Sequence, residues 1–305
     1  PGTTLFVGAL IYLLVIYLLS RAVEGTRRAA DRLATNLVTG AFLLALLPLV
    51  SLLWETLSTG LPRFDLQFFS YSMRNVIGAG GGAVHALYGT LIVTGIATVI
   101  SVPIGLMTAI YLVEYGRGAL PRGITFFVDV MTGIPSIVAG LFAFAMFTLL
   151  FGASYRSGLG GSVALSLLMI PIVVRSTEEM LPLVPNDLRE AAYALGTPKW
   201  RTIMKVVVPT ALGGIITGVT LATARVIGET APLLLIAGLT ARTNFDIFNT
   251  QMTTLPVLVY SQKSRGTPED LAIAWGAALV LVLIVLVLNL LARFVGKIFA
   301  PKTGR

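Results

Sequence analysis

Seven long apolar segments dominate this chain, and the short stretches between them carry most of its charge. A helix that crosses the hydrocarbon core of a bilayer needs about 20 mostly apolar residues. Segments of this kind lie at about residues 3–20, 36–54, 86–113, 124–151, 161–181, 210–239 and 271–296. Of the 305 residues, 56% are hydrophobic and 12% are charged, a balance too apolar for a soluble domain. The sequence therefore predicts an all-α integral membrane protein with seven transmembrane helices.

The basic residues predict how these helices are oriented. The first segment has no basic residue before it and no small-residue cleavage site, so we expect a retained transmembrane helix rather than a signal peptide. Four arginines follow it closely: Arg21, Arg27, Arg28 and Arg32. Basic loops remain in the cytoplasm, and the resulting topology places 15 of the 22 Lys and Arg residues there, including Arg175. We expect the N-terminus outside and the C-terminus in the cytoplasm.

Composition also excludes several kinds of chemistry. The chain has no cysteine and one histidine, His85, so neither thiol catalysis nor a metal site is expected. The phosphate-binding loop of many ATPases, Gly-x-x-x-x-Gly-Lys-Ser/Thr, does not occur. The net charge of +8 follows from the basic cytoplasmic loops and indicates no nucleic-acid partner. We expect a chain that is not an enzyme and binds no cofactor, so any ATP hydrolysis belongs to another chain.

A charged stretch at residues 187–209 is predicted to form two short helices that meet at a glycine. Gly196 provides a helix stop with positive φ, and Thr197 followed by Pro198 is typical of a new helix start. Asn186 or Asp187 can cap the first helix. Its apolar residues recur at helical spacing: Leu188, Ala191, Ala192 and Leu195. The pattern favours a binding surface for another protein over a simple connecting loop.

Two ionisable residues lie deep in the sixth apolar segment. Arg225 is about 15 residues past Pro209, which is roughly 22 Å along a helix. An arginine at this depth costs about 2.5–3.5 kcal/mol on insertion scales, so it persists only with a partner, a hydrated cavity or a function. Glu229 lies at i+4, which would place it on the same face of one helix.

This pair allows two interpretations. Arg225 and Glu229 can form an internal ion pair that only holds helices together. Alternatively, Arg225 offers its planar guanidinium to an oxyanion, and Glu229 holds Arg225 while no anion is bound. Glu229 can then accept a hydrogen bond from a protonated oxyanion, which fully deprotonated sulfate cannot donate. We favour the second interpretation because ionisable residues within membranes most often face a pathway.

The fourth apolar segment contains Gly-Ile-Pro-Ser-Ile-Val-Ala-Gly at residues 133–140. Proline frees a backbone carbonyl and glycine permits close helix packing, so a kinked packing helix is the favoured interpretation. In the alternative, the hydroxyl of Ser136 lines a polar pathway. Asp129, near the start of the segment, is expected to hydrogen-bond to a neighbouring helix.

The charged stretch resembles the EAA loop of ABC importer permeases, the segment that seats in a groove of the ATPase subunit. The resemblance rests on Glu190-Ala191-Ala192, on Gly196, and on Val206-x-Val208-Pro209. The family usually has Ile and Leu where this chain has the two valines. The resemblance implies that the contacts with the ATPase come from Leu188, Glu190, Ala191, Ala192, Leu195 and Gly196.

Three further motifs resemble the permeases of phosphate-specific ABC importers, most closely those of the PstA type. They are Ala224-Arg225-x-x-Gly228-Glu229-Thr230-Ala231-Pro232-Leu233, Gly133-Ile134-Pro135-Ser136-Ile137-Val138 and Gly89-Thr90-Leu91. The family core has six spans, so this chain departs from it by one extra N-terminal span. We therefore divide the chain into residues 1–35, an extra helix with a basic linker, and residues 36–300, the permease domain with its coupling loop at about 186–209.

The resemblance implies that this chain forms half of the translocation pathway of a type I importer in a bacterial plasma membrane. Its expected partners are a homologous permease of the PstC type, two ATPase subunits of the PstB type that bind ATP and Mg²⁺, an extracytoplasmic phosphate-binding protein of the PstS type, and membrane lipid. The substrate is expected to meet Arg225, Glu229, Thr230 and Ser136. Sulfate or molybdate stays an alternative cargo on physical grounds, and a secondary transporter or a membrane scaffold is the alternative class.

Overall fold

Every regular element in the described part of the chain is a helix, as the apolar segments predict. The computed structural model describes residues 2–76, 78, 80–153 and 155–298. Two compact units divide after Ser58, and each is described by itself. The boundary predicted near residue 35 falls inside a continuous helix and stays a prediction.

The first unit contains α1 (Gly2–Glu24) and most of α2 (Thr26–Gly60). Gly25 separates them with φ of +89°, a left-handed conformation that glycine adopts without steric cost. Across this corner, Nη2 of Arg32 donates to Oε1 of Glu24 over 2.5 Å. The basic residues predicted to flank the first span are therefore helical, and α2 continues from them into the second apolar segment.

The second unit is built from eleven further helices, the first of them short. They are α3 (Leu66–Ser70), α4 (Val84–Ile110), α5 (Ala119–Gly133), α6 (Ser136–Phe151), α7 (Gly158–Met180), α8 (Asn186–Ala194), α9 (Lys199–Thr202), α10 (Val208–Val226), α11 (Ala231–Ile236), α12 (Leu255–Arg265) and α13 (Pro268–Ile298). Short 3₁₀ turns occupy Leu61–Arg63 and Leu181–Leu183. Single π-helical turns, Tyr111–Tyr115 and Ile203–Val207, extend α4 and join α9 to α10.

Helix α7 is the centre of this second unit, with α4, α5, α6, α10 and α11 packed around it. Small residues permit the close approach of backbones that membrane helices require. At Gly218 of α10, for example, an added Cβ would lie 2.5 Å from Oγ of Ser176 on α7. Buried apolar side chains from α4, α7, α10 and α11 fill the space between these helices.

The predicted count of seven spans is not confirmed. Six single helices among the described residues are long and apolar enough to cross a membrane, and a seventh span exists only if α5 and α6 together count as one. The axes of α5 and α6 bend by 107° at Ile134 and Pro135, far beyond the kink expected for this segment. The residue before a proline is forced out of helical conformation, and Ile134 accordingly has ψ of 127°.

The sixth predicted span, residues 210–239, is also interrupted. Helix α10 ends at Val226, residues 227–230 are not helical, and the short α11 begins at Ala231. Pro232 lies in the first turn of α11, where its fixed φ and missing N–H group favour a new helix start over continuation of the old one.

Candidate functional site

A cavity of about 230 Å³ lies where α5 and α6 bend. Its volume is many times that needed for one water molecule. Side chains from α5, α6, α7 and the end of α10 line it: Met131, Thr132, Ile134, Pro135, Ser136, Leu168, Ile172, Arg225, Val226 and Glu229. This space is called the bend cavity below.

The bend brings Ser136 to the bend cavity. Ser136 is the first residue of α6, and Pro135 occupies the N-cap position, where its carbonyl accepts from the N–H group of Val138 over 2.9 Å. The N-terminal end of α6, with its partial positive charge, therefore points toward the cavity. The minority interpretation of this segment, in which Ser136 lines a polar pathway, agrees with this placement.

Arg225 enters the same cavity from the last turn of α10. It lies 17 residues after the start of α10, about 25 Å along the helix axis. Its side chain is exposed, and among the described residues it forms neither an ion pair nor a hydrogen bond. A guanidinium with no protein partner at this depth is available to an anion.

The predicted helical pairing of Arg225 with Glu229 is wrong. Glu229 lies beyond the end of α10, in the connection to α11, and its backbone N–H group donates to the carbonyl of Val226 over 3.1 Å. The two side chains therefore do not share a helix face, and the described structure holds no ion pair between them. Both nevertheless line the bend cavity.

Thr230 is the one predicted pathway residue outside this lining. It occupies the N-cap position of α11, and its side chain makes no capping hydrogen bond there. Thr132 is a polar lining residue that the sequence did not indicate. Its hydroxyl donates to the carbonyl of Val128 over 2.9 Å, as threonines inside helices commonly do. No pattern in the sequence distinguishes Thr132 from other helical threonines.

The charged stretch forms the two predicted helices, α8 and α9, with Gly196 between them. Gly196 has φ of +72°, and its N–H group donates to the carbonyl of Tyr193 over 2.9 Å. The next N–H group, of Thr197, donates to Ala192 over 3.1 Å, which completes a Schellman motif. The start of each helix differs from prediction, because Pro185 and Pro198 hold the N-cap positions and no side chain caps either helix.

An ion pair fixes α8 to the end of α4. Nη1 of Arg189 lies 2.5 Å from Oε1 of Glu114, and its Nη2 donates to the carbonyl of Leu181 over 2.8 Å. The Glu114 side chain is only 6% exposed. Lys199 at the start of α9 donates to the backbone carbonyl of Glu114 and lies 4.8 Å from the centre of the Tyr115 ring. The sequence alone does not indicate this attachment, since its members are 75 and more residues apart.

The residues predicted to contact an ATPase lie on both sides of α8. Ala192 is buried, whereas the remaining five are exposed: Leu188, Glu190, Ala191, Leu195 and Gly196. Leu195 is 85% exposed, a large fraction for a leucine. From Lys199 the chain continues without interruption as helix to Val226, next to Arg225. One helical path therefore joins the start of α9, next to α8, to the bend cavity.

Comparisons with known proteins agree with this architecture. Residues 101–305 match the protein family described as "Binding-protein-dependent transport system inner membrane component". The chain is 46% identical over 272 residues to "Phosphate transport system permease protein PstA 1" of Mycobacterium tuberculosis (strain ATCC 25618 / H37Rv), covering 88% of each chain. It is 40% identical over 287 residues to the protein PstA of the phosphate transport system of Yersinia pestis, covering 92% of this chain and 94% of that one.

Among solved structures, a chain of a bacterial alginate ABC transporter, determined in complex with an alginate-bound periplasmic protein, superposes with a TM-score of 0.64. The match covers 93% of this chain and all of that one at 14% identity. At this identity the likeness concerns the fold alone.

Proposed function

This chain belongs to the family of binding-protein-dependent transport system inner membrane components, and from that premise we propose how its residues move phosphate. It is a transmembrane permease subunit of an ATP-driven phosphate importer, as its 46% identity to a phosphate permease over 272 residues supports. The observation that carries the mechanism is the bend cavity, which Arg225, Ser136 and Glu229 all line. These three residues, with Thr230 near by, form this subunit's half of the substrate pathway.

Arg225 supplies the attraction for the anion. Its guanidinium stays protonated and presents several N–H donors in one plane, which matches two oxygens of a phosphate group. No described side chain competes for these donors. The N-terminal end of α6 and the hydroxyl of Ser136 supply further donors to the same cavity.

Glu229 supplies selectivity. A carboxylate beside the anion repels a fully deprotonated dianion such as sulfate, but it accepts a hydrogen bond from a phosphate that retains a proton. Transport of sulfate or molybdate would require this carboxylate to be protonated or withdrawn. Because Glu229 lies outside α10, it approaches or leaves the anion through rotation of a few backbone bonds.

The energy comes from partner chains. The exposed face of α8 is suited to a groove of a cytoplasmic ATPase, and the chain itself is not an enzyme. ATP and Mg²⁺ bind to two such ATPase subunits of the PstB type. A homologous PstC-type permease forms the other half of the pathway in a bacterial plasma membrane. An external PstS-type binding protein delivers phosphate, which is consistent with an N-terminus outside and a C-terminus inside.

Closure of the ATPase dimer moves α8, and the helix from Lys199 to Val226 transmits this motion to Arg225. The Arg225 side of the bend cavity then faces outward to receive phosphate, and after ATP hydrolysis it faces inward to release it. This is alternating access between two states that ATP biases differently.

The test is uptake of radiolabelled phosphate by the purified complex in vesicles. Wild type is expected to require ATP and to resist sulfate competition. Arg225→Gln should abolish uptake, while Arg242→Gln, on an exposed arginine outside the cavity, serves as the matched control and should retain it. Glu229→Gln should make uptake sensitive to sulfate. ATP-independent uptake would favour a secondary transporter, and full uptake by Arg225→Gln would refute the assigned role.

A further inference from the structure

A second group of charged residues lies on α5 and α7. Arg175 of α7 donates from Nη2 to Oδ1 of Asp129 on α5, and its Nη1 lies 2.9 Å from Oε2 of Glu178, one turn further along α7. These three residues are called the charged cluster. The structure confirms that Asp129 bonds to a neighbouring helix. Arg175, assigned to a cytoplasmic loop by the charge distribution, is instead inside α7.

The charged cluster lies next to the bend cavity, on the side of α8. On α7, Ile172 lines the cavity and Arg175 is one turn closer to α8; on α5, Thr132 lines it and Asp129 is about one turn closer to the helix start. Ser176 packs against Gly218, seven residues before Arg225 on α10. Arg175 and Arg225 therefore differ in depth by about 10 Å.

A groove continues from the charged cluster in the same direction. It has a volume of about 350 Å³, and Asp129, Glu178 and Arg122 are its charged lining residues. Arg122 is in the first turn of α5, and its Nε donates to the carbonyl of Gly118. Three arginines on three helices thus follow one another from the bend cavity toward α8: Arg225, Arg175 and Arg122.

We propose that the charged cluster closes the cytoplasmic exit of the bend cavity, and that Arg175 contacts the departing oxyanion once Asp129 is withdrawn. The proposal rests on the proposed function. In the closed state the cluster carries two carboxylates against one guanidinium, so its net charge repels an anion. Withdrawal of Asp129 removes one carboxylate and frees N–H donors of the Arg175 guanidinium. The same movement thereby turns a barrier into an anion contact.

The attachment of α8 supplies a means of opening. Arg189 and Lys199 hold α8 and α9 to Glu114 and Tyr115, and α5 begins at Ala119, four residues later. A displacement of α8 is therefore passed to the start of α5 through a very short connection. Asp129 is the residue of α5 that the displacement must pull away from α7. ATPase motion thus opens this exit without contacting it.

The first test measures the barrier. The assembled transporter is placed in vesicles loaded with radiolabelled phosphate, and efflux is followed without ATP. Asp129→Asn should raise this efflux about tenfold, equivalent to about 1.4 kcal/mol of closed-state stability. Glu179→Gln is the matched control, because Glu179 is an exposed carboxylate of α7 outside the charged cluster that makes no ion pair among the described residues, and its efflux should equal wild type. If Asp129→Asn shows the wild-type efflux rate, or if both variants show the same rate, the charged cluster is not the barrier to efflux.

A double variant with the two charges exchanged tests whether misfolding, rather than loss of the ion pair, raises the efflux. Asp129→Arg combined with Arg175→Asp restores an ion pair between the two helices, so efflux should return to the wild-type rate. If efflux from the exchanged variant stays above the wild-type rate, the ion pair is not what closes the exit.

The second test measures the contact between Arg175 and the anion. Arg175→Gln should slow ATP-driven uptake about tenfold while the ATPase subunits still co-purify, and unchanged uptake overturns this role.

These results separate the inference from the proposed function. If wild type takes up no phosphate with ATP, the proposed function fails. If wild type transports, Arg225→Gln does not, and the variants of the charged cluster behave as wild type, the inference alone fails.

Discussion

The ion pair between Arg189 and Glu114 is predicted to hold α8 in place, and replacing Arg189 by methionine tests this. The substitution keeps most of the side-chain volume but leaves Glu114, 6% exposed, without its cationic partner. Removing one partner of a buried ion pair costs about 3–5 kcal/mol. Arg189 is 16% exposed and thus partly hydrated, so we take the lower end of that range. A loss of about 3 kcal/mol favours detachment of α8 by about 100-fold.

Hydrogen exchange measures this detachment directly, because amide groups exchange when the segment opens locally. The N–H groups of Leu195, Gly196 and Thr197 are suitable probes, since each bonds within the end of α8. In Arg189→Met their exchange should accelerate about 100-fold, whereas exchange in α7 should be unchanged. Arg201→Gln is the control, because the Arg201 side chain is exposed, lies over the ring of the neighbouring Trp200 and makes no ion pair among the described residues.

A second variant identifies the cause. Adding Glu114→Gln to Arg189→Met removes the unpaired buried charge, so most of the lost protection should return. If Arg189→Met exchanges at the wild-type rate, the pair does not hold α8. If the double variant is no slower than the single one, packing of the Arg189 stem, rather than charge, accounts for the attachment.

Three further outcomes follow from positions described above. Gly196→Val places a β-branched residue at φ of +72°, which costs about 1–2 kcal/mol, so ATPase stimulation by phosphate should fall in vesicles. Gly218→Val puts a Cβ 2.5 Å from Oγ of Ser176, so α10 must move away from α7 and the melting temperature should fall, whereas Gly95→Val in α4, where an added Cβ has no neighbour within 4 Å, should change it less. Hydrogen bonds from Phe248 and Asn249 lower the pKa of Asp246, so the order that Asp246 gives the loop at residues 240–254 should persist above the unfolded pKa of about 4. This order should be lost as pH falls through the lower folded pKa, and tryptic cleavage after Arg242 should then become faster.

The sequence predicts the membrane helices and names three of the ten residues that line the bend cavity, Arg225, Glu229 and Ser136, but it does not predict how the cavity forms. Hydropathy identifies long apolar stretches, and it is insensitive to Gly133-Ile134-Pro135 and Gly228 because these residues are themselves small or apolar. Arg225 was found because a charge among apolar residues is conspicuous. Its predicted pairing with Glu229 failed because i+4 spacing has meaning only inside a continuous helix.

The sequence also does not predict contacts between residues that are far apart along the chain. Asp129 and Arg175 are 46 residues apart, and Glu114 and Arg189 are 75 apart. Each of the four residues taken alone resembles an ordinary charge near the end of a membrane span. A single sequence carries no signal that pairs them, so both the charged cluster and the attachment of α8 required the three-dimensional structure.

The bend between α5 and α6 has an electrical consequence. The two helices have 15 and 16 residues, about 22 and 24 Å each, so neither crosses a hydrocarbon core of about 30 Å alone. Polar backbone freed at the bend requires water or protein around it. In the proposed outward-facing state, water in the bend cavity would extend the external aqueous phase into the membrane, so the transmembrane voltage would fall across a thinner barrier. A divalent anion that enters against the transmembrane voltage must overcome about 4.6 kcal/mol per 100 mV in total. In that state most of this voltage drop lies between the bend cavity and the cytoplasm.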